Sequence, residues 1–288
     1  PYAKAYLLWS LVNLVILFIL PFLLLPYLRG LRDSLRPSLV VISFFSFFPI
    51  FAAILQGQDS ILLLFIYTLV FISLKRGYEH RTGVLLGLGM FRPQLMLPFL
   101  LAFVVRRRWK VLSGFLIASA LLALVSIQIT GWKGAISYPG FLWGIDRSVR
   151  DNIAGADYYA IHPAAMPNLR GFIHTHIAGG IPEAYTNLGI LGISLLLVFW
   201  SISKGVGKQS NGQTGLDLPF ALHLTTTILV SYHLHVHDLS LLLLPILLVA
   251  NDLALVEDFQ GVALFGLAAL LLCLFLSPVY MIALLLGG

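Results

Sequence analysis

The chain has 288 residues, of which 59% are hydrophobic and only 10% charged, and its mean hydropathy is +0.94. A soluble domain carries about 25% charged residues, so this composition excludes one and indicates an integral membrane protein. The net charge of +6 does not point to nucleic acid: the Lys and Arg residues fall in short clusters between apolar runs, as topology signals do, and no extended basic face is left over.

In chain order, apolar runs predict helices at 5–27, 38–55, 60–74, 111–129, 184–203, 217–233, 239–256 and 261–286. Runs of this length suit helices that cross about 30 Å of hydrocarbon, so the expected fold is an all-α polytopic bundle with about eight spans. Pro1 leads straight into apolar sequence with no initiator Met and no signal-peptide pattern, and the chain reads as an N-terminally truncated fragment of one transmembrane domain covering 1–288. The single cysteine, Cys273, lies inside an apolar run, so neither a disulfide framework nor a thiolate metal site is expected.

One apolar segment breaks the pattern. Residues 83–105, "GVLLGLGMFRPQLMLPFLLAFVV", are interrupted by Arg92, Pro93 and Gln94 and flanked on both sides by basic clusters, 75–81 and 106–110. A single crossing would put one cluster on each side of the membrane, against the positive-inside rule. A re-entrant helix broken near mid-membrane at Pro93 keeps both inside, because proline has no N–H and disfavours helix at the residue before it. With 29–36 and 204–208 also inside, the outer set becomes 56–60, the long loop 130–183 and 233–238.

The outer stretches hold the candidate chemistry. In "SYHLHVHDLSLLLLP", 231–245, His233 and His237 are four apart and Asp238 follows directly. In a helix these would share a face from which His235 points away. Such a set could hold a metal, end two helices at water, or donate hydrogen bonds to an anionic substrate. Arg92 either snorkels to the interface or clamps a phosphate with its planar fork, with Gln94 beside it. "LQGQDS" adds Gln56, Gln58, Asp59 and Ser60, in a place where a tight turn would want polar residues in any case. Arg170 and the His174/His176 pair are weaker signals.

Taken in order, "GQDSILLL", "RTGVLLGLGMFRPQLMLPFLL", "RRRWK" and "SYHLHVHDLSLLLLP" resemble glycosyltransferase family 87, membrane enzymes of the GT-C superfamily that use polyprenyl-phosphate sugars. Gly57 and Gln58 match the family's turn, Pro93 and Gln94 its break, and Ser231, His233, Asp238 and Leu239 its late segment. Asp59, Arg92 and His237 stand where Asn, Lys and Tyr are usual.

The resemblance implies a GT-C-type bundle that moves a hexose, mannose foremost, from a polyprenyl-phosphate donor to a hydroxyl of a glycolipid, glycan or protein. The transfer is expected at the extracytoplasmic face of a bacterial plasma membrane, with no cofactor, no metal and no nucleic acid. The implied substrate-binding set is Gln58, Asp59, Arg92, Gln94, His233, His237 and Asp238. The catalytic aspartate is expected in a first outer loop upstream of Pro1. A transporter or lipid flippase also uses broken helices and intramembrane Arg, but its characteristic repeated halves are not found here. A non-catalytic scaffold is the third class.

Overall fold

The computed structural model describes residues 2–150, 166–206 and 215–256, with backbone only at 138, 139 and 141–150. The predicted helix at 261–286, Cys273, Lys208 and the centre of the long loop lie outside the described residues. Every regular element among those described is helical: α1 (Tyr2–Leu24), α2 (Arg29–Ser34), α3 (Pro37–Ser46), α4 (Phe48–Leu55), α5 (Ser60–Lys75), α6 (Glu79–Leu88), α7 (Pro93–Val105), α8 (Trp109–Arg150), α9 (Leu169–His176), α10 (Glu183–Ser203), α11 (Asp217–Val230) and α12 (Leu243–Leu255). Helices satisfy their own backbone groups, which is what an apolar surrounding requires.

Among the described residues, four stretches are long and apolar enough to cross a membrane: Tyr2–Tyr27, Trp109–Ser137, Glu183–Ser203 and Val236–Leu255. A fifth follows if α3 and α4 form one span bent by 50°. The single helix expected at 38–55 is thus broken, with Phe47 extended between its halves and Pro49 opening the second. Pro49 has no N–H to give to a continuing helix. Ser60–Lys75, Pro93–Val105 and Asp217–Val230 are shorter apolar helices. Of the stretch expected to be a loop from 130, the part up to Arg150 continues α8 past a kink at Gly131 (φ 75°), and α9 forms near its end.

The segment 79–105 goes out and comes back. Its two ends meet where Arg108 Nη2 donates to Glu79 Oε1 at 2.9 Å, so the two flanking basic clusters share one end of the bundle. The other two clusters join them. Arg106 donates to the carbonyls of Ile202 and Val206, at the C-terminus of α10. Gly30 lies against the backbone of Asn251 and Leu255, and Leu31 N–H donates to Asn251. A buried Lys75–Asp217 ion pair at 2.5 Å closes the same end.

The turn of this hairpin is the break at Arg92. Its φ/ψ of −125°/68° lies outside the helical region that the following proline disfavours, and Pro93 opens α7 at its first position. The depth differs from the sequence expectation. α6 and the 3-10 turn Gly89–Phe91 rise about 21 Å, against about 24 Å for α5. Arg92 therefore stands level with the N-terminus of α5, not halfway along it.

Small residues let this hairpin pack. Gly83 and Gly87 face Gly114 and Ala118 across α6 and α8, and a Cβ on Gly83 would sit 1.9 Å from the Val111 carbonyl oxygen. The core between α5, α7 and α11 is aromatic, with Phe99 edge-on to both Tyr67 and Phe220 at 5.2 Å. Tyr67 donates its hydroxyl proton to the Leu95 carbonyl at 2.6 Å, so the ring is buried without stranding the hydroxyl.

Candidate functional site

Opposite the basic end, three separate segments converge. The first is the turn after α4. Gly57 takes φ +62°, which a Cβ would strain, and Gln58 N–H closes the helix on the Ala53 carbonyl at 2.9 Å. This turn holds Gln56, Gln58 and Asp59 above the bundle. Asp59 sits at the N-cap of α5, yet its carboxylate does not cap the helix; it turns to Arg92.

Arg92, from the second segment, meets Asp59 through two nitrogens. Nε donates to Oδ1 at 2.9 Å and Nη2 to the same oxygen at 2.5 Å, while Nη2 also reaches Gln58 Oε1 at 3.3 Å. The remaining edge, Nη1, lies 3.9 Å from Asp238 Oδ1. Arg92 therefore ties all three segments together, and two carboxylates already face its fork. Gln94, on the first turn of α7, makes no hydrogen bond to another described residue.

The third segment corrects the helical expectation. α11 stops at Val230, residues 231–235 are not helical, and His235 is extended with φ −110° and ψ 168° before a 3-10 stretch, Val236–Leu242. Alternate residues of an extended chain point the same way. His233 and His235 therefore share one side, and the 3-10 turn that follows brings His237 beside them, with ring centroids 4.4 Å apart for the first pair and 5.2 Å for the second. His235, expected to point away, belongs to the cluster. The signal was available in the sequence as "HLHVH", which has the period of a strand.

Asp238 organises this segment. It is 0% exposed; Oδ1 accepts from Ser60 Oγ at 2.8 Å and Oδ2 from the His235 N–H at 3.0 Å. His237 Nδ1 lies 2.7 Å from Gln56 Oε1, so with the amide oxygen as acceptor the proton sits on Nδ1. Its Nε2 is buried without a hydrogen-bond partner, 3.6 Å from Asp238 Oδ1. Burial, reinforced by neighbouring His235, pushes His233 down to about 4, so this imidazole is neutral at pH 7. Among the described residues, no three His, Cys, Asp or Glu side chains are arranged to hold a metal ion.

A flanking element completes this end. Asn168 caps α9 by accepting from Gly171 N–H at 2.9 Å, and its amide donates to the Ser231 carbonyl at 2.7 Å. Arg170 donates to the Tyr232 carbonyl at 3.3 Å and lies over the Tyr232 ring. Asn168 thereby fastens α9 to the base of the histidine segment.

The structure thus brings together Gln58, Asp59, Arg92, His237 and Asp238, with His233 reached through the ring contacts. Gln56, Ser60 and His235 join them and were not in the predicted set. No curated protein and no solved structure matches the chain. The family model described as glycosyltransferase family 87 matches residues 1–204, a span that includes the α4–α5 turn and the Arg92 break. With well over half of its length matched, this chain belongs to glycosyltransferase family 87 and is a membrane glycosyltransferase.

Proposed function

We propose that the protein moves a hexose, mannose foremost, from a polyprenyl-phosphate sugar to an acceptor hydroxyl on the extracytoplasmic face of a bacterial plasma membrane. The observation that carries this reading is the convergence of Gln58, Asp59, Arg92, His233, His235, His237 and Asp238 at the end of the bundle opposite the four basic clusters. Positive charge is retained on the cytoplasmic side, so the polar end is the extracytoplasmic one. A polyprenyl chain stays in the hydrocarbon and its phosphate sits at the membrane surface, at the depth of this cluster.

The chemistry follows from the donor. The acceptor oxygen attacks the anomeric carbon, the bond from that carbon to the phosphate oxygen breaks, and polyprenyl phosphate leaves with the bonding pair. The hydroxyl proton passes to a general base. Neutral imidazoles can donate hydrogen bonds to the phosphate oxygens as charge develops on them. Asp59 and Asp238 are assigned no base role, because Arg92, Ser60 and the His235 amide already engage their oxygens. Arg92 holds the three segments in register, and a phosphate reaching its fork would have to displace Asp59.

The sidedness is tested with the protein of the complete reading frame in oriented vesicles given polyprenyl-phosphate mannose and a membrane-impermeant acceptor glycan. Transfer to acceptor on the extracytoplasmic side alone is expected. Transfer only on the cytoplasmic side would overturn the assignment of the polar end.

A further inference from the structure

The cations at the polar end are unevenly paired. Arg92 faces two carboxylates. Arg170, only 3% exposed, has no carboxylate partner among the described residues. Its Nη1 meets the Tyr232 carbonyl, its Cζ lies 3.9 Å from the Tyr232 ring centroid, and its Nε is buried with no acceptor. Two imidazole nitrogens are stranded in the same way: His174 Nε2, one turn along α9, and His233 Nδ1, next to Tyr232. A buried guanidinium without a counter-anion is costly, and so is a buried imidazole nitrogen without a partner, which becomes a donor in the tautomer that places the proton on it. His174 shares the α9 face of Arg170 at i+4, and His233 is close enough to Arg170 to feel its charge, so one anion with several acceptor oxygens would relieve all three groups together.

The arrangement is also rigid. Asn168 holds the first turn of α9 to the Ser231 carbonyl, and Arg170 is held by the Tyr232 carbonyl and the ring it lies over. A planar fork with flanking imidazoles matches the oxygens of a phosphate monoester.

We propose that Arg170, His174 and His233 form a phosphate-binding subsite separate from the Arg92 ion pairs. It takes a terminal phosphate group, either the monoester at the head of a prenyl chain or inorganic phosphate free in solution. Its assignment to the polyprenyl phosphate that leaves the donor rests on the transferase reading above; the subsite itself does not.

Purified protein of the complete reading frame, in phosphate-free detergent, is titrated with farnesyl phosphate and separately with inorganic phosphate, and Kd and the ligand-induced rise in Tm are read. Arg170→Gln is expected to weaken farnesyl phosphate binding about 10- to 100-fold, the range for losing a charge-assisted hydrogen bond, and Arg170→Lys to fall between it and the wild type. Without ligand, Arg170→Gln should melt at or above the wild-type temperature, because it removes an uncompensated buried charge. An arginine that only supports the fold would lower it.

Tight binding of farnesyl phosphate with weak binding of inorganic phosphate identifies the prenyl-linked source, and the reverse identifies free phosphate. The proposal is overturned if the wild type binds neither probe, or if both variants bind them as the wild type does. It is also overturned if Arg170→Gln melts lower while its phosphate-induced shift persists. Should Arg170→Gln fail to fold, His174→Gln and Arg170→Lys carry the same readout. Arg170-dependent phosphate binding in a protein that transfers no sugar would refute the transferase reading and leave the subsite standing.

Discussion

Replacing Asp238 by asparagine keeps its shape and removes its charge, which isolates what the carboxylate does. In the wild type both oxygens are acceptors, one from Ser60 Oγ at 2.8 Å and one from the His235 N–H at 3.0 Å. Asparagine has one acceptor oxygen and one donor NH2, so either orientation loses an interaction. With the NH2 toward His235, donor meets donor. With it toward Ser60, the NH2 also faces the Arg92 cation, whose Nη1 was 3.9 Å from that oxygen. A hydrogen bond to a charged group contributes about 1.5–3 kcal/mol, and a buried donor left unsatisfied costs about as much. We expect local opening of residues 231–242 to become easier by about 2–3 kcal/mol, or about 30- to 150-fold in amide exchange. Hydrogen exchange with mass spectrometry on peptides covering that segment measures it, with α5 peptides as the internal reference. Unchanged exchange in 231–242, or an equal acceleration in α5, would refute Asp238 as the local anchor.

Three further outcomes follow from the fold. Cysteines at Tyr78 and Lys110, in a Cys273→Ala background, should react with an impermeant thiol reagent from the same side, the cytoplasmic one; labelling from opposite sides would end the hairpin at 79–105. Gly83→Ala should lower Tm by several degrees and Gly83→Val should prevent folding, because a Cβ there meets the Val111 carbonyl at 1.9 Å; a wild-type Tm for Gly83→Val would contradict the close approach of α6 and α8. Because burial lowers His233 from 6.5 to about 4, the unfolded chain binds more protons between those values, so its contribution to stability is complete above about pH 6.5 and falls away toward pH 4; the decline in Tm between pH 7 and pH 5 should be shallower in His233→Gln, and an identical slope would mean the imidazole is not buried in solution.

Much of the fold was legible from residue pattern. The basic clusters fixed which loops share an end, because charge is retained on one side whatever the helices do between, and the Glu79–Arg108 pair joins the two clusters whose placement mattered most. Pro93 fixed the break for a local reason, the missing N–H and the restricted residue before it. The depth of the break was not legible. Apolar length alone does not say that Gly89–Phe91 would wind as a 3-10 turn and carry Arg92 up to Asp59.

The site was partly legible as well. Gln58, Asp59, Arg92, His237 and Asp238 were singled out and do converge. His235 was set aside because the segment was read with the 3.6-residue period of the flanking helices, whereas the break after Val230, extended at His235 and then wound as a 3-10 turn, places it beside His233 and His237. Asp59 was expected to line a binding site. That it would turn from its own helix N-terminus to Arg92 depends on a contact 33 residues away, which no local pattern encodes.

Donor identity is the most direct test of the central claim. The protein of the complete reading frame, reconstituted in liposomes with a broad set of acceptor glycans, is supplied with mannose either as polyprenyl-phosphate mannose or as a nucleotide-linked mannose, and radiolabel in acceptor is counted. The account predicts transfer from the polyprenyl-phosphate donor alone, with polyprenyl phosphate released in equal amount. Transfer from the nucleotide sugar alone, or passage of the lipid-linked sugar across the bilayer with none transferred, would contradict it.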